Sequence, residues 1–367
     1  MRAWAEINLS AIAHNTKEIR KVTNKNAKIM AMVKADGYGH GAAEVAKTVL
    51  ENGADCLGVA CAEEACELRE RGVTAPILIA GYTPLEDVKT AVSADAALTV
   101  YSYEAAKYID SAAKDAGKII TVHIKVDTGM TRLGFDCSPQ SLDEAHKICG
   151  LKNIYVEGIF SHLARAEEAD GEPSLLQFKR FREFAECLEK RGVHIPVKHI
   201  CNSAGIIKFP QMHLDMVRPG ICIYGELPSN DVDKIDLMPA MSIKCTVARV
   251  LQVRGGTEVS YGATFKAEGD MKIATVLIGY GDGIRRRMSD GGRIIIGGRA
   301  VPIIGTVCMD LLMADVTGMD VSPEDEAVIM GRQGDAFISA SQIAQVCQTI
   351  SYEIFCNAGK RLVRVCK

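Results

Sequence analysis

A lysine followed by three glycines near the N-terminus has the residue types for covalent chemistry on an aldehyde. Lys34 closes the apolar run 29–33, which predicts a buried strand that delivers the amine into a pocket. Desolvation disfavours the ammonium, and a neutral amine can hold an aldehyde as a Schiff base. Gly37, Gly39 and Gly41 let backbone N–H groups approach a phosphate. An aldehyde that carries a phosphate is pyridoxal phosphate (PLP), but taken alone the segment fits better a strand-end lysine that reaches solvent before an ordinary turn.

Three further candidates lie near the ends of two later apolar runs. Arg132, in the turn after 119–127, could bind a carboxylate in bidentate fashion, and Lys125 faces the same end of the strand. His162 ends the run 154–162 and offers an acid–base or hydrogen-bonding imidazole. A surface arginine, a salt-bridge lysine and a structural histidine remain the alternatives.

Two segments have the composition of phosphate sites. Asn202 and Ser203 end a strand and begin a predicted helix, where backbone N–H groups and a hydroxyl bind phosphate. Arg218 precedes Pro219 and Gly220 in a second glycine-bearing turn. A plain N-cap serine is the alternative for the first segment.

The last third of the chain adds a tyrosine and a short polar turn. Tyr261 lies in the run 259–265, and Met309 and Asp310 follow Cys308. A packed strand tyrosine is the alternative interpretation of Tyr261.

The elements that must position these residues alternate between strands and helices. The runs 28–34, 56–60, 76–80, 97–100, 119–127, 154–162, 197–203 and 214–224 predict eight strands. Helical patterns separate them at 42–52, 62–71, 103–116, 141–149 and 174–191. This alternation predicts a closed (β/α)₈ barrel, with an open doubly wound sheet as the alternative. In such barrels chemistry collects at the carboxyl ends of the strands, where the candidates lie.

A second domain follows. The segments 239–253, 259–265, 271–278, 293–306, 311–316 and 327–330 predict strands, and only 341–346 has a helical pattern there. We therefore expect an α/β protein with a barrel domain over residues 1–230 and a C-terminal mainly β domain over 231–367. The first nine residues or so alternate apolar and polar and could pair with the β domain.

Composition limits the class of protein. The 367 residues carry a net charge of −3, which gives no sign of nucleic-acid or membrane binding. No apolar stretch reaches the ~18 residues of a membrane span, and the N-terminus lacks a signal peptide, so we expect a cytoplasmic protein. The 13 cysteines are odd in number and scattered in apolar runs, which favours reduced core residues and no metal site.

These motifs together resemble the alanine racemases over nearly the whole length. The segments that carry the resemblance are Lys34-x-x-x-Tyr38-Gly-His-Gly, 127–134, Val217-Arg218-Pro219-Gly220 and Tyr261-Gly262-x-Thr264-Phe265, in family order. Asp36-Gly37 departs from the usual Asn-Ala of the family.

The resemblance implies a role for each candidate. Lys34 would hold PLP and act as the base on one face of the substrate, and Tyr261 of a partner subunit would act on the other. Arg218 would face the pyridine nitrogen, with His162 hydrogen-bonded toward it. The cofactor phosphate would be held by Tyr38, Asn202, Ser203, Gly220, Ile221 and Tyr352. The substrate side would involve Arg132, Met309, Asp310 and Tyr280, with Lys125 the lysine that is often carbamylated.

The implied function is racemisation of alanine by two-base proton transfer in a homodimer with shared sites, supplying D-alanine for peptidoglycan. A serine or dual serine/alanine racemase is an alternative, although serine racemases of this type tend to have asparagine where this chain has Tyr352. A PLP-dependent decarboxylase of similar architecture and a PLP-binding carrier without turnover also fit the lysine and phosphate motifs. The tyrosines and the whole second domain favour the racemase.

Overall fold

The computed structural model describes residues 1–229, 231–233 and 235–367. The chain divides into two compact units. The barrel unit comprises residues 12–37 and 42–238, and the C-terminal unit comprises 1–11, 38–41 and 239–367. Residue 230, the expected end of the barrel domain, lies outside the described residues.

The barrel unit contains a closed barrel of parallel strands, eight among the described residues. The strands are β2 (Lys28–Met32), β3 (Cys56–Val59), β4 (Ile77–Ile79), β5 (Ala97–Val100), β6 (Ile120–Lys125), β7 (Ile154–Phe160), β8 (Val197–His199) and β9 (Met216–Val217). Helices span Leu9–Val22, which crosses the boundary between the units, and Ala42–Glu51, Ala62–Glu70, Val88–Ser93, Tyr103–Asp115, Pro139–Ile148, Glu172–Lys190 and Ser203–Lys208. β3 and β4 are buried throughout, as strands covered on both sides must be. The predicted (β/α)₈ barrel is confirmed.

The last barrel strand is shorter than predicted. Only Met216–Val217 of the run 214–224 is a strand, and Ile221–Tyr224 forms a 3₁₀ helix. Pro219 ends the ladder because it has no N–H to donate. Helices Leu9–Val22 and Val88–Ser93 were not predicted.

The C-terminal unit is built on one large sheet. Its strands are β1 (Ala3–Ile7), β10 (Met241–Val253), β13 (Met271–Val276), β14 (Arg293–Ile296), β15 (Arg299–Ile304), β16 (Leu312–Asp315), β17 (Glu326–Gln333), β18 (Ala336–Ile338) and β19 (Val363–Cys366). The strand order is β18-β17-β14-β15-β16-β13-β10-β1-β19, with β17 also pairing β10. β1 is antiparallel to β10 and parallel to β19. The remaining elements are the β11 (Glu258–Val259) and β12 (Phe265–Lys266) pair and helices Ala340–Cys347 and Ser351–Cys356.

Three predictions in this unit were wrong in detail. The run 259–265 is broken by a 3₁₀ turn at Tyr261–Ala263, where Gly262 has φ 73°. The run 293–306 is a hairpin, because Gly297 and Gly298 take positive φ between β14 and β15. Ser351–Cys356 is a second helix where only one was expected.

The described part of the chain holds no helix long and apolar enough to cross a membrane. It also holds no group of three or more His, Cys, Asp or Glu side chains arranged for a metal ion. Among the described cysteines, the buried Cys56 and Cys201 are free thiols.

Candidate active site

The backbone after Lys34 makes a left-handed turn. Ala35, Asp36 and Gly37 have φ of 52°, 53° and 60°. This conformation costs an L-residue roughly 1–2 kcal/mol. The Glu64 carboxylate accepts the Ala35 N–H at 2.6 Å, and Asp36 accepts the N–H of Ala42 at 2.8 Å. These bonds hold the turn that places Lys34 just after the carboxyl end of β2.

Cationic side chains converge on His162 at this end of the barrel. Burial lowers the pKa of His162 well below its usual value, and the charges of four cations lower it further. In order of effect these cations are Arg218, Lys125, Arg132 and Lys34. The predicted barrel-side residues therefore form one electropositive site around a neutral imidazole, as expected where a phosphate and a carboxylate bind.

Lys125 and Arg132 line one recess with His162. Lys125 is buried, and its Nζ lies 4.5 Å from the centroid of the Phe160 ring. Burial first, and then the charges of Arg218 and Arg132, hold the pKa of Lys125 well below its usual value. A lowered pKa favours the neutral, nucleophilic form of this amine.

Arg132 is exposed, and Asp127 shapes the loop that carries it. Asp127 Oδ1 accepts the backbone N–H groups of residues 129, 130 and 131 at 2.9–3.0 Å. Its Oδ2 accepts the Arg132 N–H at 3.1 Å. Burial raises the pKa of Asp127, but these bonds outweigh burial and leave it below its usual value. The carboxylate is thus the organising centre of the loop.

Arg218 is buried and fixed by several acceptors. Its Nη2 donates to the carbonyl oxygens of Ser161 at 2.7 Å and Ile200 at 3.1 Å, and lies 3.3 Å from His162 Nδ1. Its Nη1 lies 2.8 Å from Nδ1 of His199. Burial lowers the pKa of Arg218 to about 10, so the guanidinium still carries its charge at neutral pH.

The predicted phosphate segments lie next to each other. Ser203 is buried, and its Oγ accepts the N–H of Gly220 at 2.9 Å. Asn202 caps helix Ser203–Lys208 by accepting the Gly205 N–H at 2.9 Å. Ile221, which follows Gly220, begins the 3₁₀ helix. The hydrogen bond between Ser203 and Gly220 thus links the segments that follow β8 and β9.

The remaining candidates belong to the C-terminal unit. Tyr261, Met309 and Asp310 line one cavity of about 540 Å³. Tyr261 is 69% exposed and Met309 is 52% exposed. The side chains of Tyr261 and Met309 are therefore accessible for contact with another protein surface.

Tyr38 and Tyr352 pair in this unit with ring centroids 6.0 Å apart. Burial raises the pKa of Tyr38, so it stays a neutral hydrogen-bonding phenol. Tyr280 is 42% exposed, and its N–H donates to the carbonyl oxygen of Cys308 at 2.9 Å.

A buried carboxylate that was not predicted supports the same turn. Asp282 receives both guanidinium nitrogens of Arg2 at 2.7 Å and lies 3.4 Å from Arg361. Arg361 also binds Asp310 at 2.7 Å. This ion cluster ties the 279–283 turn to Asp310.

The sequence reasoning also missed His199 and the histidine beside it, His123. His123 lies inside β6, and His199 is the last residue of β8, next to Lys198. A histidine within a predicted barrel strand was the available signal, because a buried imidazole needs polar partners.

Comparison with known proteins places the chain in one group. Residues 7–228 match the family described as "Alanine racemase, N-terminal domain", and residues 240–366 match "Alanine racemase, C-terminal domain". An alanine racemase of Methanococcus maripaludis is 47% identical over 365 residues, covering 99% of this chain and 98% of that protein. "Alanine racemase 2" of Caldanaerobacter subterraneus is 45% identical, covering 98% of this chain and 93% of that protein.

Solved structures give the same result. An alanine racemase of Clostridium difficile 630 superposes with a TM-score of 0.97 at 38% identity, covering 100% of this chain and 96% of that one. The alanine racemase of Bacillus anthracis with bound L-Ala-P has a TM-score of 0.94 at 35% identity, covering 100% and 95%.

Proposed function

We infer that this chain, which belongs to the alanine racemase family, is an amino-acid racemase that interconverts L- and D-alanine. The observation that carries the chemistry is that Arg218 lies 3.3 Å from His162 and that Lys125 and Arg132 line a recess with it. The charge of Lys34 acts on the same imidazole. Such a site suits a phosphorylated cofactor and an amino-acid carboxylate, which are both anionic.

The donor set fits pyridoxal 5′-phosphate. Lys34 offers the amine, Arg218 the cation for the ring nitrogen, and Ser203 the hydroxyl beside the amide of Gly220. Asn202, Ile221, Tyr38 and Tyr352 complete the proposed set. When bound, PLP supplies the aldehyde that amines condense with and a ring that stabilises the carbanion left when the α proton departs.

The proton transfers are assigned to two residues of the chain. The Lys34 amine removes or returns the α proton on one face, and the Tyr261 phenol oxygen does so on the other. Arg132 and the Met309 backbone N–H bind the carboxylate, with Asp310 beside them. Tyr280 lines the access channel with Tyr352.

Lys125 is proposed to be carbamylated. Its neutral Nζ, favoured by burial and by Arg218 and Arg132, forms a bond to the carbon of CO₂ and loses a proton. The resulting carbamate carries a negative charge, which would pair with Arg132 and orient it.

We propose a homodimer with shared sites, in which Tyr261 acts with Lys34 of the partner subunit. The high exposure of Tyr261 and Met309 supports this assignment, because a catalytic phenol needs to be shielded from water. The D-alanine formed is proposed to serve peptidoglycan synthesis. We place the reaction in the cytoplasm, in agreement with the free thiols of buried Cys56 and Cys201.

Racemisation of L-alanine and L-serine side by side tests the function. We expect alanine to react faster, with serine a slow substrate, since a small pocket discriminates against an added hydroxyl by only about 100-fold. Borohydride reduction followed by peptide mapping should label Lys34. Label on another residue, or a labelled protein that turns over neither amino acid, would contradict the assignment and favour a PLP carrier.

A further inference from the structure

A chain of hydrogen-bonded side chains, buried except at its far end, leads from Arg218 through the barrel. Arg218 Nη1 lies 2.8 Å from His199 Nδ1, and His199 Nε2 lies 2.9 Å from His123 Nδ1. His123 Nε2 then lies 3.2 Å from Glu157 Oε2. Arg218, His199 and His123 are each 4% exposed or less. We call this chain of four residues the relay.

The relay permits only one arrangement of protons. A guanidinium can only donate, so Nδ1 of His199 accepts from Arg218. A neutral imidazole has one N–H, so His199 donates from Nε2 to Nδ1 of His123. His123 in turn donates from Nε2 to the Glu157 carboxylate. Each contact therefore has one donor and one acceptor, and all the dipoles point the same way.

The strands are locally shaped to hold this relay. The pairing of β6 with β7 shifts register between Val122 and His123. A Cβ on Gly158, opposite the shift, would lie 2.2 Å from His123 Nδ1, so only glycine leaves room for the imidazole. The Phe160 ring stacks on His199 at 4.8 Å and 8°. Both imidazoles are thus fixed by packing as well as by hydrogen bonds.

The relay compensates a buried charge. Among the described residues no carboxylate forms an ion pair with Arg218. Burial and the charge of Arg218 hold the pKa of His199 well below its usual value, so it stays neutral. The hydrogen bond from His123 lowers the pKa of Glu157, which stays ionised. An anion at the far end polarises the imidazoles toward the cation.

We propose that His123 and Glu157 are positioning residues that act through His199 on Arg218 and fix the orientation of its guanidinium. The effect of this orientation on the reaction rests on the proposed function, because that function places Arg218 at the ring nitrogen of PLP. Glu157 lines a cavity of about 240 Å³ with Lys28 and Asp55, near the amino ends of the strands. It therefore acts without touching cofactor or substrate.

The first test measures protonation directly in the PLP-loaded protein labelled with ¹⁵N-histidine. We expect His199 and His123 to be neutral with the proton on Nε2. His213 is an internal reference, because it accepts from the Asn24 N–H at Nδ1 and faces the Ile206 carbonyl oxygen through Nε2. A proton on Nδ1 of His199, or a doubly protonated ring there, would overturn the relay, and this test needs no variant.

The second test uses His123→Phe, which keeps a ring beside Phe160 but removes both nitrogens, and Glu157→Leu. Each should lower kcat for alanine by about three- to tenfold, less than the ~100-fold that a full misplacement can cost. KM should change by less than about twofold, and the visible absorption band of the bound cofactor should shift. Glu157→Gln keeps an acceptor for the His123 N–H but loses the charge, so its kcat and absorption band should lie closer to wild type than those of Glu157→Leu.

Non-additivity separates this role from a merely structural one. Because Glu157 acts only through His123, the double variant His123→Phe/Glu157→Leu should be no slower than His123→Phe alone. The relay would be contradicted if the fold-losses of the two single variants multiplied in the double variant. It would also be contradicted if the single variants kept wild-type kcat and absorption. If the wild-type protein racemised neither amino acid, the proposed function would fail while the tautomers would still decide the relay.

Discussion

Replacing Asp127 by asparagine should weaken substrate binding without touching a substrate contact. The carboxylate accepts three backbone N–H groups on Oδ1 and the Arg132 N–H on Oδ2. An asparagine has one oxygen, so it can keep the three bonds of Oδ1. Its NH₂ group then faces the Arg132 N–H, and two donors repel. The substitution therefore displaces Arg132, which is the residue proposed to bind the alanine carboxylate.

The size of the effect follows from that one lost bond. A hydrogen bond to a charged group contributes about 1.5–3 kcal/mol when buried. The loop is partly exposed, so we take the lower end, and about 1.4 kcal/mol corresponds to tenfold in binding. We expect KM for L-alanine to rise about tenfold with kcat changed much less, because neither Lys34 nor Tyr261 is altered.

Steady-state kinetics in both directions measures this change. Asp136→Asn is the matched control, because Asp136 also accepts bonds from its own loop, at Ser138 and Ser141, but makes none to Arg132. We expect that control to keep the wild-type KM. An unchanged KM in Asp127→Asn, or an equal rise in both variants, would refute the idea that Asp127 positions Arg132.

Three further experiments test other parts of the molecule. Inactive Lys34→Ala and Tyr261→Phe chains should regain activity when mixed and allowed to exchange subunits, and no recovery after verified exchange would argue against shared sites. Arg218→Glu should raise transamination relative to racemisation, measured as pyruvate formed per turnover, because a carboxylate can share a proton with the ring nitrogen and a guanidinium cannot; an unchanged ratio would count against this role of Arg218. Asp282→Asn should destabilise the fold by about 2 kcal/mol, since it breaks a bidentate pair whose partner Arg2 is partly exposed. The expected fall in melting temperature is roughly 4–8 °C by calorimetry, and an unchanged value would contradict it.

The barrel was predictable because its strands are short apolar runs separated by amphipathic helices. The failures occurred where a single residue changes the backbone. The run 214–224 is apolar enough for a long strand, but Pro219 and Gly220 end the ladder after Val217. In the run 293–306 the pattern continues through Gly297 and Gly298, and only their positive φ reveals the hairpin.

The candidate residues were predictable for a related reason. The carboxyl ends of parallel strands meet at one end of a barrel, so Lys125 at the end of β6 and His162 after β7 had to become neighbours. The C-terminal residues had no such rule, because a mixed sheet order such as β16-β13-β10-β1 does not follow from the order along the chain. The roles of Tyr261 and Met309 came only from the resemblance to a family.

His123 and Glu157 were missed because their role depends on the register of strand pairing and not on residue type. His123 and Glu157 lie 34 residues apart, and they meet because β6 and β7 pair with a shift at that position. With regular pairing the two side chains would be placed differently, because a slip of one residue moves a side chain to the other face of a strand. The glycine at 158 was visible in the sequence, but its reason is the imidazole that occupies the place of its Cβ. A sequence can therefore show which groups perform the chemistry at strand ends, while the groups that orient them are decided by the pairing of the strands below.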